Sequence, residues 1–169
     1  LVGSEMCIRD RSTAVPISEI RRNLDEYENK TVTIRGVLTV GAGVLRTDRT
    51  SMYIQDESGK GINLYASSLA PYKRGDYLEL TGTVQEYDGT IEITDWLGNE
   101  TLIEEHYPLP DPEVVYIAQM SKDPYEYEGT YVEIIAKVSE RADNIGGGIN
   151  LTVEDISGRM TVRIWNTTN

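Results

Sequence analysis

Cysteine is nearly missing from this sequence of 169 residues, occurring once, as Cys7. Residues 1–11, Leu1-Val-Gly-Ser-Glu-Met-Cys-Ile-Arg-Asp-Arg11, resemble translated sequencing-adapter read-through and are set aside as an artefact or a disordered tail. Cys7 goes with them, which excludes a disulfide framework and a thiolate metal site from the rest. Histidine is equally scarce, His106 being the single copy. Zinc is therefore without its usual ligands, and a Ser-His-Asp arrangement would have to use His106, which has no nucleophile turn near it. No apolar run approaches the ~18 residues of a membrane-spanning helix.

Positive charge is short as well: 16 Lys and Arg stand against 28 Asp and Glu, a net charge of −12. Residues 12–113 carry 9 basic against 18 acidic side chains, and residues 114–169 carry 5 against 8. The average field of such a chain repels polyphosphate, so any nucleic acid must be held by a local basic strip. Gly146-Gly-Gly148 is followed by no Gly-Lys-Ser/Thr and is a flexible loop rather than a phosphate cradle. Asp56, Glu57 and Asp155 lack EF-hand spacing and are expected to bond turn backbone. These absences point away from an enzyme and imply no cofactor and no metal.

What is present is a repeat. Ile17-Ser-Glu-Ile20, Tyr27-Glu28 and Val32-Thr-Ile34-Arg-Gly36 lie over Ile117-Ala-Gln-Met120, Tyr127-Glu128 and Val132-Glu-Ile134-Ile-Ala136 at an offset of 100. After a one-residue slip, Met52-Tyr-Ile54-Gln-Asp56-Glu-Ser58-Gly59 lies over Leu151-Thr-Val153-Glu-Asp155-Ile-Ser157-Gly158. Three prolines in Tyr107-Pro-Leu-Pro-Asp-Pro112 mark a linker over residues 107–113. The expected organisation is a first module over 12–106 and a second over 114–169 that stops after its third strand. The first residue is Leu, and the last run ends straight after a strand-like segment, so a longer protein is expected around this chain.

Period-2 alternation dominates the first module. Val32, Ile34, Gly36, Leu38 and Val40 share one face of a long strand, and the small residue midway permits a sharp bend. Val132, Ile134, Ala136 and Val138 repeat that inner face in the second module. Further strands are predicted over 51–56, 61–65, 76–86 and 90–94, with Asp88-Gly89 as a hairpin turn. Ser67–Tyr72 has room for one helical turn. A short lead-in helix carries Ile17, Ile20 and Leu24, with Ser18 as its N-cap. The fold class is all-β with a lead-in helix: a five-stranded OB-type barrel followed by a truncated second copy.

Thr31-Val-Thr-Ile-Arg-Gly-Val37, Met52-Tyr-Ile-Gln-Asp-Glu-Ser-Gly59 and Gly75-Asp-Tyr-Leu-Glu-Leu-Thr-Gly-Thr-Val84 together resemble bacterial OB-fold modules classed as nucleic-acid binding. The resemblance implies an exported multidomain setting, where such modules stand beside endonuclease or phosphatase domains, and it slightly favours an extracytoplasmic location. It covers all of the first module and three strands of the second.

If Met52, Ile54, Ile62 and Leu64 point inward, Tyr53, Gln55, Asn63 and Tyr65 point outward on the face where OB-folds hold ligands. Tyr53 and Tyr65 offer stacking surfaces. Arg35 on the adjoining strand, and Arg46 and Arg49 in the preceding loop, are placed to meet phosphates. Arg163 and Trp165 hold matching positions in the second module. Two functions compete on these residues. One is a non-catalytic ligand-binding module, with single-stranded nucleic acid as the partner. The other is a structural spacer whose exposed Tyr and Arg are plain strand surface or pack on neighbouring domains of the same chain.

Overall fold

In the computed structural model, which describes residues 13–168, the alternating run Thr31–Val40 forms β1. The segment around Cys7 lies outside the described residues. Four more strands complete a barrel: β2 (Thr50–Gln55), β3 (Gly61–Ala66), β4 (Tyr77–Tyr87) and β5 (Thr90–Thr94). The order is β1-β2-β3-β5-β4, and β4 pairs back onto β1, so the barrel closes. Neighbours are antiparallel except β3 and β5, which run parallel. This is the connectivity of an OB-type barrel.

β1 serves two partners. Thr31–Val37 lies along β4, and Val37–Val40 along β2, with a register shift between Leu38 and Val40. Gly36 stands at the changeover. A Cβ there would lie 2.4 Å from the carbonyl oxygen of Gln55, so the strand can turn between its partners only where no side chain intervenes. The interior is filled by alternating residues, Ile34, Leu38, Ile54, Ile62, Leu80 and Ile93 among them, and is plugged by a fully buried Trp96. The Trp96 indole N–H donates to the carbonyl of Tyr65 at 2.9 Å, which gives its polar edge a partner.

The lead-in forms α1 (Ile17–Arg22) and, after a break at Asn23, α2 (Leu24–Tyr27). Ser18 does not cap it; the cap position is Pro16, and Ser18 sits inside the helix. The free donors at the helix start are met from the barrel instead. Ile17 N–H donates to Asp56 Oδ2 at 2.7 Å and Ser18 N–H to Ser58 Oγ at 3.1 Å. Asp56 thus bonds backbone, its own turn included, where Ser58 N–H donates to Oδ1 at 3.0 Å.

Ser67–Tyr72 holds no helical turn. The buried Thr50 hydroxyl donates to Ser68 O at 2.7 Å and accepts from Ala70 N–H at 2.8 Å, which fixes an irregular crossing. A sixth strand not anticipated, β6 (Glu100–Glu104), pairs with Tyr77–Leu80 of β4 and covers the length that β5 does not reach.

The C-terminal part contains β7 (Glu113–Val114), α3 (Ile117–Lys122), α4 (Pro124–Tyr127), β8 (Val132–Glu133), β9 (Lys137–Ala142), β10 (Gly148–Glu154) and β11 (Arg159–Trp165). The last three strands form an antiparallel meander. The contacts at the start of α3 match those at α1: Ile117 N–H donates to Asp155 Oδ2 at 2.8 Å and Ala118 N–H to Ser157 Oγ at 2.9 Å.

The long strand expected from Val132 to Val138 is split. Its counterpart in β1 lies along β4, and no described residue of this part supplies such a strand, so β8 pairs in parallel with β7 instead. Val138 is therefore half exposed and Ile135 is 77% exposed.

This part rests on the barrel through residues 125–131 and through Thr167, whose hydroxyl donates to Val44 O. The Arg21 guanidinium donates to Glu128 Oε2 at 2.6 Å, Tyr125 O at 2.5 Å and Gly61 O at 3.3 Å. A Cβ on Gly61 would fall 1.9 Å from Gly129 O, so two backbones meet there without side chains. The linker is seated as well: Tyr107 stacks on Tyr77 at 4.5 Å, and its N–H donates to Gly75 O at 2.8 Å. Among the described residues no helix is long and apolar enough to cross a membrane.

Candidate functional site

The side chains that leave the barrel between its inward-facing residues converge on the outer face of β2, β3, β5 and β4. Register places Tyr53 beside Asn63, Asn63 beside Glu92, and Glu92 beside Gln85, a single row across four strands. Ser51 and Tyr65 form the adjoining pair. The loop before β2 contributes Arg46 and Arg49, and the β4–β5 hairpin contributes Tyr87 and Asp88. That hairpin turns tightly because Asp88 and Gly89 both take positive φ, 49° and 79°. Together these residues enclose an open groove of about 590 Å³.

Its charges are uneven. Arg49 is paired with Asp48, Nε and Nη2 donating to one carboxylate oxygen at 2.9 and 2.7 Å. Asp48 first and the Tyr65 hydroxyl second raise the Arg49 pKa further. Arg46 is exposed and forms no ion pair among the described residues. Asn63 is buried and donates to Ser51 Oγ at 3.2 Å. Burial, with the Glu128 charge behind it, raises the Tyr53 hydroxyl above its ordinary value.

Glu92 stands in the middle of the row with no hydrogen bond or ion pair to any described residue, and burial alone lifts its carboxyl above the usual range. The groove thus combines aromatic walls, one exposed arginine without an ion pair among the described residues, and an acidic floor. Such a surface can stack flat rings and accept hydrogen bonds from their edges.

Of the residues expected at the site, Tyr53, Asn63, Tyr65, Arg46 and Arg49 line this groove. Gln55 does not. It closes β2 opposite Gly61, is 3% exposed, and its Oε1 accepts from Tyr131 N–H at 2.7 Å. Arg35 lies on the stretch of β1 that faces β4, where its Nε donates to Glu79 at 2.9 Å. Arg163 and Trp165 pair with each other on β11, the guanidinium 4.4 Å from the indole ring. Arg163 also donates to Asn150 Oδ1 at 2.9 Å and Gly146 O at 2.8 Å, so it braces the glycine loop. Glu92, Gln85 and Tyr87 were not anticipated. Their signal was the alternation of Ile91 and Ile93, which turns Glu92 outward on a strand that an OB-type order sets beside β3.

No protein-family model matches the chain. Endonuclease YhcR of Bacillus subtilis (strain 168) is 32% identical over 161 residues, which is 91% of this chain and 13% of that protein. The chain therefore spans about an eighth of the length of this curated relative. Among solved structures, an aspartyl-tRNA synthetase from Leishmania major Friedlin superposes with a TM-score of 0.46 at 14% identity, over 62% of this chain and 23% of that one. That likeness is too distant to bear on function.

The match to an endonuclease corrects the expectation that this chain is no enzyme. The expectation rested on missing catalytic motifs.

Proposed function

We propose that this chain is the strand-holding part of an endonuclease and binds single-stranded nucleic acid along the β2–β3–β5 face. The observation that carries this reading is the groove itself, where Tyr53 and Tyr65 share one surface with Arg46 and Arg49. Both tyrosine rings are half-buried, and stacking a base on an aromatic side chain contributes about 1–3 kcal/mol. Arg46 supplies a phosphate contact, while Asp48 leaves Arg49 with less net attraction. Affinity on this reading comes from stacking more than from charge, so its salt dependence is shallow, with a slope of about one phosphate. The endonuclease relative supports the choice of nucleic acid over other ligands that fit a polar, aromatic groove.

The two β-rich parts are tandem copies of one OB-type unit on this reading, joined by residues 107–113. The sequence offset and the matched contacts at the starts of α1 and α3 support it.

The test is fluorescence anisotropy of the full chain with a labelled single strand of mixed sequence. Tyr53→Ala with Tyr65→Ala should weaken binding by about tenfold or more; unchanged affinity refutes the assignment. One observation favours a second reading, a spacer that sets the spacing of neighbouring parts: the largely buried Arg21–Glu128 pair seats the C-terminal part on the barrel. An intact interface without oligonucleotide binding would select it.

A further inference from the structure

Resting on the groove as the nucleic-acid site, we propose that it selects bases bearing an exocyclic amino group over thymine and uracil, with Glu92 as the selecting acceptor. The cross-strand row sets Glu92 between the amides of Asn63 and Gln85, flanked by Tyr53 on β2. Both carboxylate oxygens lack a donor among the described residues, although the side chain is half buried. A partly desolvated carboxylate with no protein partner leaves hydrogen-bonding capacity that a ligand can satisfy. A base stacked on a tyrosine ring keeps its edge free for hydrogen bonds to the polar side chains beside that ring.

The edges of the bases differ in what they offer a carboxylate. Cytosine and adenine present an amino N–H beside a ring acceptor, which the carboxylate and the partly exposed Gln85 amide can meet together. Guanine presents two adjacent N–H donors. Thymine and uracil present a single imide N–H between two carbonyl oxygens, each of which repels the carboxylate. Burial has already made the anion of Glu92 less comfortable, so a donor from the base stabilises it. The same negative charge disfavours phosphate on the groove floor and leaves the backbone to the Arg46 side.

The experiment compares labelled oligodeoxycytidine and oligothymidine of equal length, bound to the full chain at neutral pH and followed by anisotropy. Oligodeoxycytidine should bind about tenfold more tightly, the discrimination expected of one good charged contact to a base edge. Glu92→Gln, whose amide can turn either way and offer a donor or an acceptor, should bring the ratio close to one by weakening oligodeoxycytidine binding and tightening oligothymidine binding. Thermal melting checks that the variant keeps its fold. Equal affinity of the wild-type chain for both strands overturns the selection but leaves the groove as a binding site, and so does a preference that survives Glu92→Gln. Failure of both strands to bind overturns the nucleic-acid reading on which the inference rests.

Discussion

Replacing Arg21 by Met removes the cation that seats the C-terminal part on the barrel. Its side chain is 8% exposed and that of Glu128 is 18% exposed, so the pair is largely withdrawn from water. Three acceptors depend on the guanidinium: Glu128 Oε2, Tyr125 O and Gly61 O. The second oxygen, Glu128 Oε1, is already buried without a hydrogen-bond partner among the described residues. Removing one member of a buried pair costs about 3–5 kcal/mol because the other charge is stranded. The residual exposure of Glu128 puts the expected loss near the lower end, about 3 kcal/mol. The assay is urea unfolding of Arg21→Met, Glu128→Gln and the double variant. The double variant should be far more stable than additivity implies, with a coupling of about 1.5 kcal/mol or more. A coupling below about 0.5 kcal/mol would refute the description of these residues as the clamp between the two parts.

Gly36→Val places a side chain where a Cβ already meets Gln55 O at 2.4 Å, and should cost about 3 kcal/mol, read as a fall in Tm. Trp96→Ala empties the barrel plug and frees the carbonyl of Tyr65; the expected loss is about 3–5 kcal/mol by chemical denaturation, with weaker oligonucleotide binding because Tyr65 loses its support. The Asp155 carboxyl is held down to about 2, first by Ile117 N–H, then by the Ser157 hydroxyl and the N–H groups of Ser157 and Gly158. Its contribution is therefore complete above the ordinary carboxylate value and is lost as pH falls from about 4 toward 2. The Ile117 amide resonance should move over that range, and Asp155→Asn should abolish the movement.

The barrel was legible because its strands alternate over most of their length, the shift between Leu38 and Val40 aside. Each inward Val, Ile or Leu of β1 to β5 fixes its neighbours outward, and Asp88-Gly89 closes one hairpin by turn chemistry alone. The helix start was misread because Ser18 looks like a local cap, whereas the acceptors are Asp56 and Ser58, 39 and 40 residues away. β6 escaped because Glu100–Glu104 shows no clean alternation; an unpaired stretch of β4 recruits it.

In the groove, the tyrosines followed from the inward run of Met52 and Ile54, but the fates of Gln55 and Arg35 did not. Gln55 is covered by Tyr131 and Arg35 is taken by Glu79, and both are tertiary partners far off in sequence. The split between β8 and β9 has the same origin, since a strand with the right alternation needs a partner along its whole length.

On the proposed reading, the outer face of β2, β3 and β5 holds nucleic acid. Amide NMR of the full chain, titrated with a short single-stranded oligonucleotide, tests it directly. Saturable shifts are expected at Tyr53, Asn63, Tyr65 and Glu92 and through residues 46–49, with Arg35 and the Arg163–Trp165 pair unmoved. Shifts confined to β10 and β11, or none at all at low salt, would contradict it.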